Sequence, residues 1–177
     1  SLQYGFTFAI DYMGFDASVF FQGTGDHYWY PAGMNMSFWG PYAYSYASFV
    51  PRDFYTTMCW SEDNPDAYFP RPRAYSSTGG QLRLINDRYL QNIRYLRLKN
   101  LTLGYTIPKK VTKVLSLDKV RVYFSGENLH YWSPLTKVTN YLDPEASFQR
   151  NDTNSSARNQ MYYPWQKTYM FGIDITF

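Results

Sequence analysis

The sequence is poor in cysteine and histidine, with one cysteine and two histidines among 177 residues. A single cysteine, Cys59, excludes a disulfide bond within the chain. Neither His27 nor His130 has a cysteine or a second histidine at the spacing of metal ligands, and a metal ion needs three or four converging ligands. We therefore expect no metal ion and no other cofactor.

Long apolar runs, catalytic motifs and a strong net charge are also missing. No apolar run approaches the length of a transmembrane helix, about 20 residues. The sequence has no nucleophile motif and no phosphate-binding glycine loop, which argues against an enzyme. The net charge is only +3 and the basic residues are dispersed, which disfavours nucleic acid as a partner. The chain opens in a strand pattern without a signal peptide, so we expect a mature protein or a fragment.

Aromatic side chains are abundant, at 21% of the residues, and the chain has 19 tyrosines. They recur in two-residue alternation, most clearly from Trp165 to Phe177. There Tyr169, Phe171 and Ile173 share one side of an extended strand, and small or polar residues share the other. This pattern is typical of an outer-membrane β-barrel strand, which is apolar toward lipid and polar toward the lumen. A half-buried strand of a soluble sandwich shows the same alternation.

Four further segments alternate in the same way. Met13 and Gly14 separate the first two segments and predict a two-residue hairpin turn, since glycine accepts positive φ without steric cost. In the third segment the alternation slips once near Lys99 and Asn100, which predicts a β-bulge. The four predicted strands cover residues 4–12, 15–22, 89–107 and 119–131.

The length and the charges of these strands favour a barrel. Each strand carries about 9–11 alternating residues, enough to cross a bilayer at a tilt, whereas ordinary strands have about 5–6. A charge that faces lipid near the middle of the membrane costs roughly 2–4 kcal/mol. Of the charged residues in these strands, only Arg94 and Lys167 fall outside the polar face, and both lie near strand ends. The remaining charged residues are candidates for facing the lumen, namely Asp11, Asp16, Arg97, Lys99, Arg121, Glu127 and Asp174.

Short and long connections alternate along the chain. The short ones are residues 13–14 and 108–118, and the long ones are residues 23–88 and 133–164. Outer-membrane barrels have short periplasmic turns and long extracellular loops. We therefore expect two long extracellular loops and a periplasmic C-terminus.

Several motifs resemble those of SusC/RagA-type TonB-linked outer-membrane transporters, in the order of that family. Residues 95–108, YLRLKNLTLGYTIP, resemble its signature strand, and residues 120–129, VRVYFSGENL, its penultimate strand. Residues 168–177 resemble the terminal strand of the family. The sequence YLDPE at residues 141–145 resembles one of its loop elements, and Trp60 followed by NPDA at 64–67 and PR at 70–71 resembles another.

This resemblance implies an all-β, up-and-down transmembrane barrel of about 22 strands with a plugged lumen. Residues 1–177 would be a C-terminal segment of about five strands, without the plug domain and the remaining strands. The complete protein would import glycans, oligosaccharides or peptides across the bacterial outer membrane. Its expected partners are a SusD-like surface lipoprotein, TonB through the missing N-terminal part, the rest of its own barrel and the barrel-assembly machinery, for which Phe177 would be the assembly signal.

The first long loop is rich in rings that could contact a substrate or a partner. Alternatively, the same rings pack the loop itself. A soluble or surface β-sandwich that binds carbohydrate also stays open as an alternative for the whole chain. The candidate contact residues are Tyr28, Trp29, Tyr30, Phe38, Trp39, Tyr42, Tyr44, Tyr46 and Trp60.

Overall fold

The computed structural model describes residues 2–31, 35–43, 50, 52–73, 84–148 and 165–177. The chain forms two compact units, which are considered separately. The sheet unit comprises Ser1–Gly25, Tyr95–Trp132 and Trp165–Phe177. The loop unit comprises Asp26–Arg94 and Ser133–Pro164.

The described residues form seven strands and several short helical turns. In the sheet unit, β1, β2, β5, β6 and β7 pair in that order, and every pair is antiparallel. In the loop unit, β3 pairs with β4. The strands are β1 (Gln3–Tyr12), β2 (Phe15–Thr24), β3 (Tyr28–Trp29), β4 (Gln91–Asn92), β5 (Tyr95–Thr106), β6 (Lys119–Trp132) and β7 (Thr168–Thr176).

The helical turns are short. The α-helical ones are α1 (Met36–Trp39), α2 (Lys109–Thr112) and α3 (Pro144–Phe148), and Phe54–Met58 forms one π-helical turn. None of the helices formed by the described residues has both the length and the apolar character to cross a membrane. Strands are therefore the main secondary structure of the described residues, as the alternation predicts.

The predicted hairpin turn between β1 and β2 is confirmed. Met13 has a φ of 49° and Gly14 a φ of 87°, the combination that tight two-residue hairpins require. A Cβ on Gly14 would also lie 2.9 Å from the carbonyl oxygen of Thr106. Glycine is needed here both for its backbone conformation and for the close approach of β5.

The predicted β-bulge is confirmed as well. Phe20 pairs with Asn100 and Phe21 pairs with Leu98, so Lys99 is an additional residue on β5. On the other side of β5, Leu98 pairs with His130 and Asn100 pairs with Glu127, so in that pairing the additional residue is on β6. Within β5, the extra residue Lys99 restores the apolar positions to one side of the sheet.

The third predicted strand begins later than expected. The pattern places its start at residue 89, whereas β5 starts at Tyr95. Tyr89 and Ile93 are instead buried in the core of the loop unit, and Gln91–Asn92 forms β4 against Tyr28–Trp29. Packing within the loop unit therefore overrides the local alternation.

The strand register brings most apolar residues of the five strands to one face of the sheet, here named the apolar face, whereas Phe20 and Met170 lie on the opposite face. Phe6 pairs with Phe21, and their ring centres are 5.1 Å apart. Phe124 pairs with Phe171 at 5.2 Å. The alternating apolar residues on this face, which we expect to face lipid, are Phe8, Ile10, Val19, Phe21, Leu101, Leu103, Val122, Phe124, Phe171 and Ile173.

The apolar face is exposed at its centre and at both edges. Ile10 is 67% exposed, Leu103 46% and Phe171 83%. Among the described residues of the sheet unit, no second sheet covers this face. The β-sandwich alternative requires such a layer, since a sandwich packs two apolar faces together. The architecture is that of an all-β barrel segment.

The loop unit has a hydrophobic core of its own. Phe38, Trp39, Phe54 and Phe69 are at most 1% exposed. Leu135 joins the same core from the second long connection, together with Leu142. The two long connections therefore fold together around one cluster of packed rings.

We expect lipid contact at Phe171 and an aqueous environment at Asp174. Spin labels at each position in the complete protein, reconstituted in bilayers, should show high oxygen accessibility at residue 171 and high accessibility to a polar relaxation agent at residue 174. Phe8 and Asp11 form a matched pair on β1. Equal accessibilities to both agents at all four positions would contradict the assignment of faces.

Candidate functional site

The polar face of the sheet, opposite the apolar face, carries an ion-pair network across four strands. Arg121 on β6 donates from Nε to Oδ1 of Asp16 at 2.9 Å and from Nη2 to Oδ2 at 2.6 Å. Its Nη1 donates to Oδ2 of Asp174 on β7 at 3.2 Å. The guanidinium also lies 4.9 Å from the ring centre of Tyr123. One arginine thus ties β2 and β7 to β6.

Two glycines make room for this network. Gly104 on β5 lies between β2 and β6, where a Cβ would come within 2.4 Å of Asp16 Oδ1 and 2.5 Å of Arg121 Nη2. On β7, a Cβ at Gly172 would lie 2.3 Å from the ring of Tyr123. The salt bridge therefore crosses β5 directly above Gly104, where an added side chain would displace the carboxylate and the guanidinium.

The other candidates for the lumen occupy distinct positions on the sheet. Asp11 lies directly opposite Asp16, and Glu127 lies opposite Asn100 and Thr168.

Arg97 is 1% exposed, and its guanidinium lies 4.9 Å from the ring centre of Tyr131. The bulge residue Lys99 places its ammonium group 4.8 Å from the ring centre of Trp165. An aromatic ring therefore lies against each of these two cationic groups.

In the loop unit, three of the predicted contact rings lie inside the core. Phe38 and Trp39 pack edge to face at 4.9 Å, and Tyr42 stacks with Phe69 at 5.8 Å. Buried rings offer no surface to a ligand, so these three side chains stabilise the loop unit. Tyr44 and Tyr46 lie outside the described residues.

The remaining candidate rings are accessible to different degrees. Tyr28 is 62% exposed, whereas Trp29, Tyr30 and Trp60 are half-buried. The hydroxyl of Tyr30 donates to the carbonyl oxygen of Leu84 at 2.8 Å. Contact with another molecule is therefore open to Tyr28 more than to the three half-buried rings.

Cys59 lies in the same core and has no features of a reactive thiol. Burial raises the pKa of its thiol, although a hydrogen bond with the Tyr42 hydroxyl opposes that shift. The Tyr42 hydroxyl lies 3.6 Å from Sγ and donates to the carbonyl oxygen of Pro70. A protonated, buried thiol is a poor nucleophile, so Cys59 is a packing residue.

A hollow of about 480 Å³ opens on the loop unit and is named here the arginine hollow. Its lining includes Trp60, Arg71, Arg73, Arg88 and Tyr89. Burial raises the pKa of the Tyr89 hydroxyl, which is therefore neutral at physiological pH. The sequence motif around Trp60 contains several of these residues, but it does not indicate that distant Arg88 joins them.

Backbone and side-chain hydrogen bonds fix the walls of the arginine hollow. The amide of Trp60 donates to the carbonyl oxygen of Phe69 at 2.8 Å. The Tyr68 hydroxyl donates to the carbonyl oxygen of Arg88 at 2.6 Å and accepts a hydrogen bond from Gln91 Nε2 at 2.8 Å. These bonds join the two chain segments that line the hollow.

The chain is similar in sequence to TonB-dependent receptors. No family model matches the chain. TonB-dependent receptor P26 of Formosa agariphila is 29% identical over 180 residues, covering 99% of this chain and 17% of the relative. TonB-dependent receptor P3 of the same organism is 34% identical over 125 residues, covering 67% of this chain and 11% of the relative. The chain thus spans less than one fifth of these relatives.

Solved structures agree in fold. A chain of the RagAB peptide transporter matches 98% of this chain with a TM-score of 0.60 at 21% identity, and this chain covers 17% of it. The RagAB peptide importer in the closed-closed state matches 99% with a TM-score of 0.60 at 22% identity, again with 17% coverage. The chain belongs to the SusC/RagA-type TonB-dependent transporters. This confirms the resemblance to a C-terminal portion of such a transporter.

We expect Gly104→Ala to reduce the amount of assembled SusC/RagA-type barrel, because the added methyl group collides with Asp16 and Arg121 where they meet. Heat-modifiable mobility in the outer-membrane fraction measures assembly. Gly25→Ala is the matched control, since its Cβ would meet nothing nearer than 3.6 Å. Equal assembly of both variants would show that the ion-pair crossing tolerates a side chain.

Proposed function

We propose that this chain is the C-terminal barrel segment of an outer-membrane importer driven by TonB. The plug domain and the other strands belong to the rest of the polypeptide, which completes the sheet beyond β1 and β7. The observation that carries the proposal is the continuous exposed apolar face across five paired strands. In lipid such a face is favourable, while the open edges of the sheet require further strands.

The polar face would line the lumen in the complete barrel. Charged side chains such as Arg121 and Asp174 are solvated there, whereas on the lipid side they would be strongly unfavourable. The aromatic residues near strand ends, including Tyr12 and Tyr169, suit the interfaces between lipid and water. The chain would thus contribute wall and lumen surface, and no catalytic step.

The loop unit would lie outside the cell and the C-terminus in the periplasm. The short connections and Thr176 share one end of the sheet, since Thr106 bonds to Gly14 and Asp118 bonds to Thr176 through backbone amides. Barrels of this kind keep short connections on the periplasmic side. The loop unit is then available to a SusD-like surface lipoprotein and to the substrate, a glycan, an oligosaccharide or a peptide.

The proposed transport is tested by deleting the gene for the complete transporter and measuring uptake of labelled oligosaccharides and peptides. We expect uptake of one class to be lost and to return with the wild-type gene, but not in cells without TonB. Uptake of both classes at wild-type rates in the deletion strain would contradict the proposal.

Partner binding is tested in the same strains by purifying the tagged transporter in mild detergent. A surface lipoprotein should copurify, and Tyr28→Ser should reduce its amount, because Tyr28 is an exposed ring of the predicted contact set. Tyr55→Ser is the matched control, because Tyr55 is an exposed tyrosine of the loop unit outside the predicted contact set.

Phe177 follows β7 and is 89% exposed. We propose that it acts as the assembly signal, because an unpaired edge strand can add to another sheet through backbone hydrogen bonds, with alternate side chains providing specificity. Removing Phe177 from the complete protein should lower the amount of heat-modifiable barrel more than Phe171→Leu does. Equal assembly would restrict Phe177 to anchoring at the membrane interface.

A further inference from the structure

The arginine hollow has the size of a small-molecule site. Its volume of about 480 Å³ lies within the range of roughly 300–1,000 Å³ that ligand pockets occupy. Its lining combines apolar surface from Phe69 and Pro70 with the rings of Trp60 and Tyr89. A ligand of one or two sugar rings or amino-acid residues fits such a space.

The charge of the hollow is uniformly positive. Arg71, Arg73 and Arg88 line it, and no aspartate or glutamate is among its described lining residues. Within the described part of the chain, the interactions of Arg71 and Arg88 are with aromatic rings and carbonyl oxygens, not with carboxylates. Like charges around one space repel each other. A bound anion would remove that repulsion.

The guanidinium groups are oriented before any ligand arrives. Arg71 lies 5.1 Å from the ring centre of Trp60. Arg88 lies 5.8 Å from the ring centre of Tyr68, and its Nη2 donates to the carbonyl oxygens of Tyr68 at 2.9 Å and Ala67 at 3.3 Å. Holding a donor in place beforehand lowers the entropy cost of binding.

Arginine matches one anionic group particularly well. Its planar fork of N–H donors pairs with the two oxygens of a carboxylate, and it stacks on an aromatic face at the same time. Lysine offers the charge without that fork. Arg71 is therefore suited to bind a carboxylate, while Arg88 is anchored to the protein and adds positive charge.

We propose that the arginine hollow binds a carboxylate carried by the transported ligand, with Arg71 as the direct donor and Trp60 as the wall for the attached ring or side chain. This inference rests on the proposed import function for the identity of the ligand. The carboxylate has two sources, an acidic sugar of an oligosaccharide or the C-terminus of a peptide.

Binding is measured by calorimetry on the complete transporter purified in detergent, with four probes. These are trigalacturonic acid, its methyl ester, trialanine and trialanine amide. We expect one acid to bind, and the counterpart in which the carboxylate is blocked as an ester or amide to bind at least about tenfold more weakly, as the loss of a charged hydrogen bond predicts. Preference for trigalacturonic acid identifies an acidic sugar, and preference for trialanine identifies a peptide terminus.

Variants then locate the bound carboxylate. Arg71→Gln should weaken binding of the preferred acid about tenfold or more, and Arg71→Lys should weaken it less while keeping the charge. Arg52→Gln is the control, because Arg52 is an exposed arginine of the loop unit outside the hollow. Thermal melting of each variant checks the fold, and the weaker effect of Arg71→Lys separates donor geometry from misfolding.

The experiments can contradict the carboxylate site without contradicting the proposed transport, and the reverse. No preference for either acid, or equal effects of Arg71→Gln and Arg52→Gln, would overturn the carboxylate site even where uptake depends on TonB. Acid binding that requires Arg71 in a protein without uptake activity would support the site and contradict the proposed import function.

Discussion

The common register of the five long strands is the constraint on which the rest of the sheet depends. Because side chains alternate with a period of two, a slip of one residue would move a whole set of apolar side chains to the polar face. The extra residue Lys99 keeps the two halves of β5 in phase. Arg121 meets Asp16 directly above Gly104, where a Cβ would displace both groups. The ion pair and the glycine thus both select the same register.

The two units are stabilised by different interactions. The loop unit buries a continuous cluster of rings, including Trp39 and Phe69, and is stabilised by the removal of apolar surface from water. The sheet unit leaves its apolar side chains exposed and is held by paired backbone groups, which is the arrangement that lipid demands. A single chain therefore contains a part suited to water and a part suited to a bilayer.

The strands were predictable because their signals are local. Alternation along the sequence identified five strands, Gly14 identified the hairpin, and the change of phase at Lys99 identified the bulge. The loop core was not predictable, since its members have no period and come from distant segments. Leu135 packs in the same cluster as Phe38, and nothing near either residue in the sequence indicates this.

The sequence also does not predict which of the candidate contact rings are exposed. Tyr28 and Trp39 look alike in the sequence, as aromatic residues of one connection, yet Tyr28 is exposed and Trp39 is fully buried. Which ring is buried depends on contacts with Phe69 and Tyr89, and these contacts exist only in the folded loop unit. Composition can therefore predict an aromatic loop but cannot choose its accessible members.

Arginine serves two physical roles in this chain. Arg121 is neutralised by Asp16 and Asp174, so its charge is used to hold strands together. Arg71 and Arg88 are held by rings and carbonyl oxygens within the described residues, which fix the position of a guanidinium without cancelling its charge. A compensated arginine supports the fold, whereas an oriented and uncompensated one retains its attraction for an anion. The second arrangement is the one that binding requires, and the loop unit supplies it beside aromatic walls.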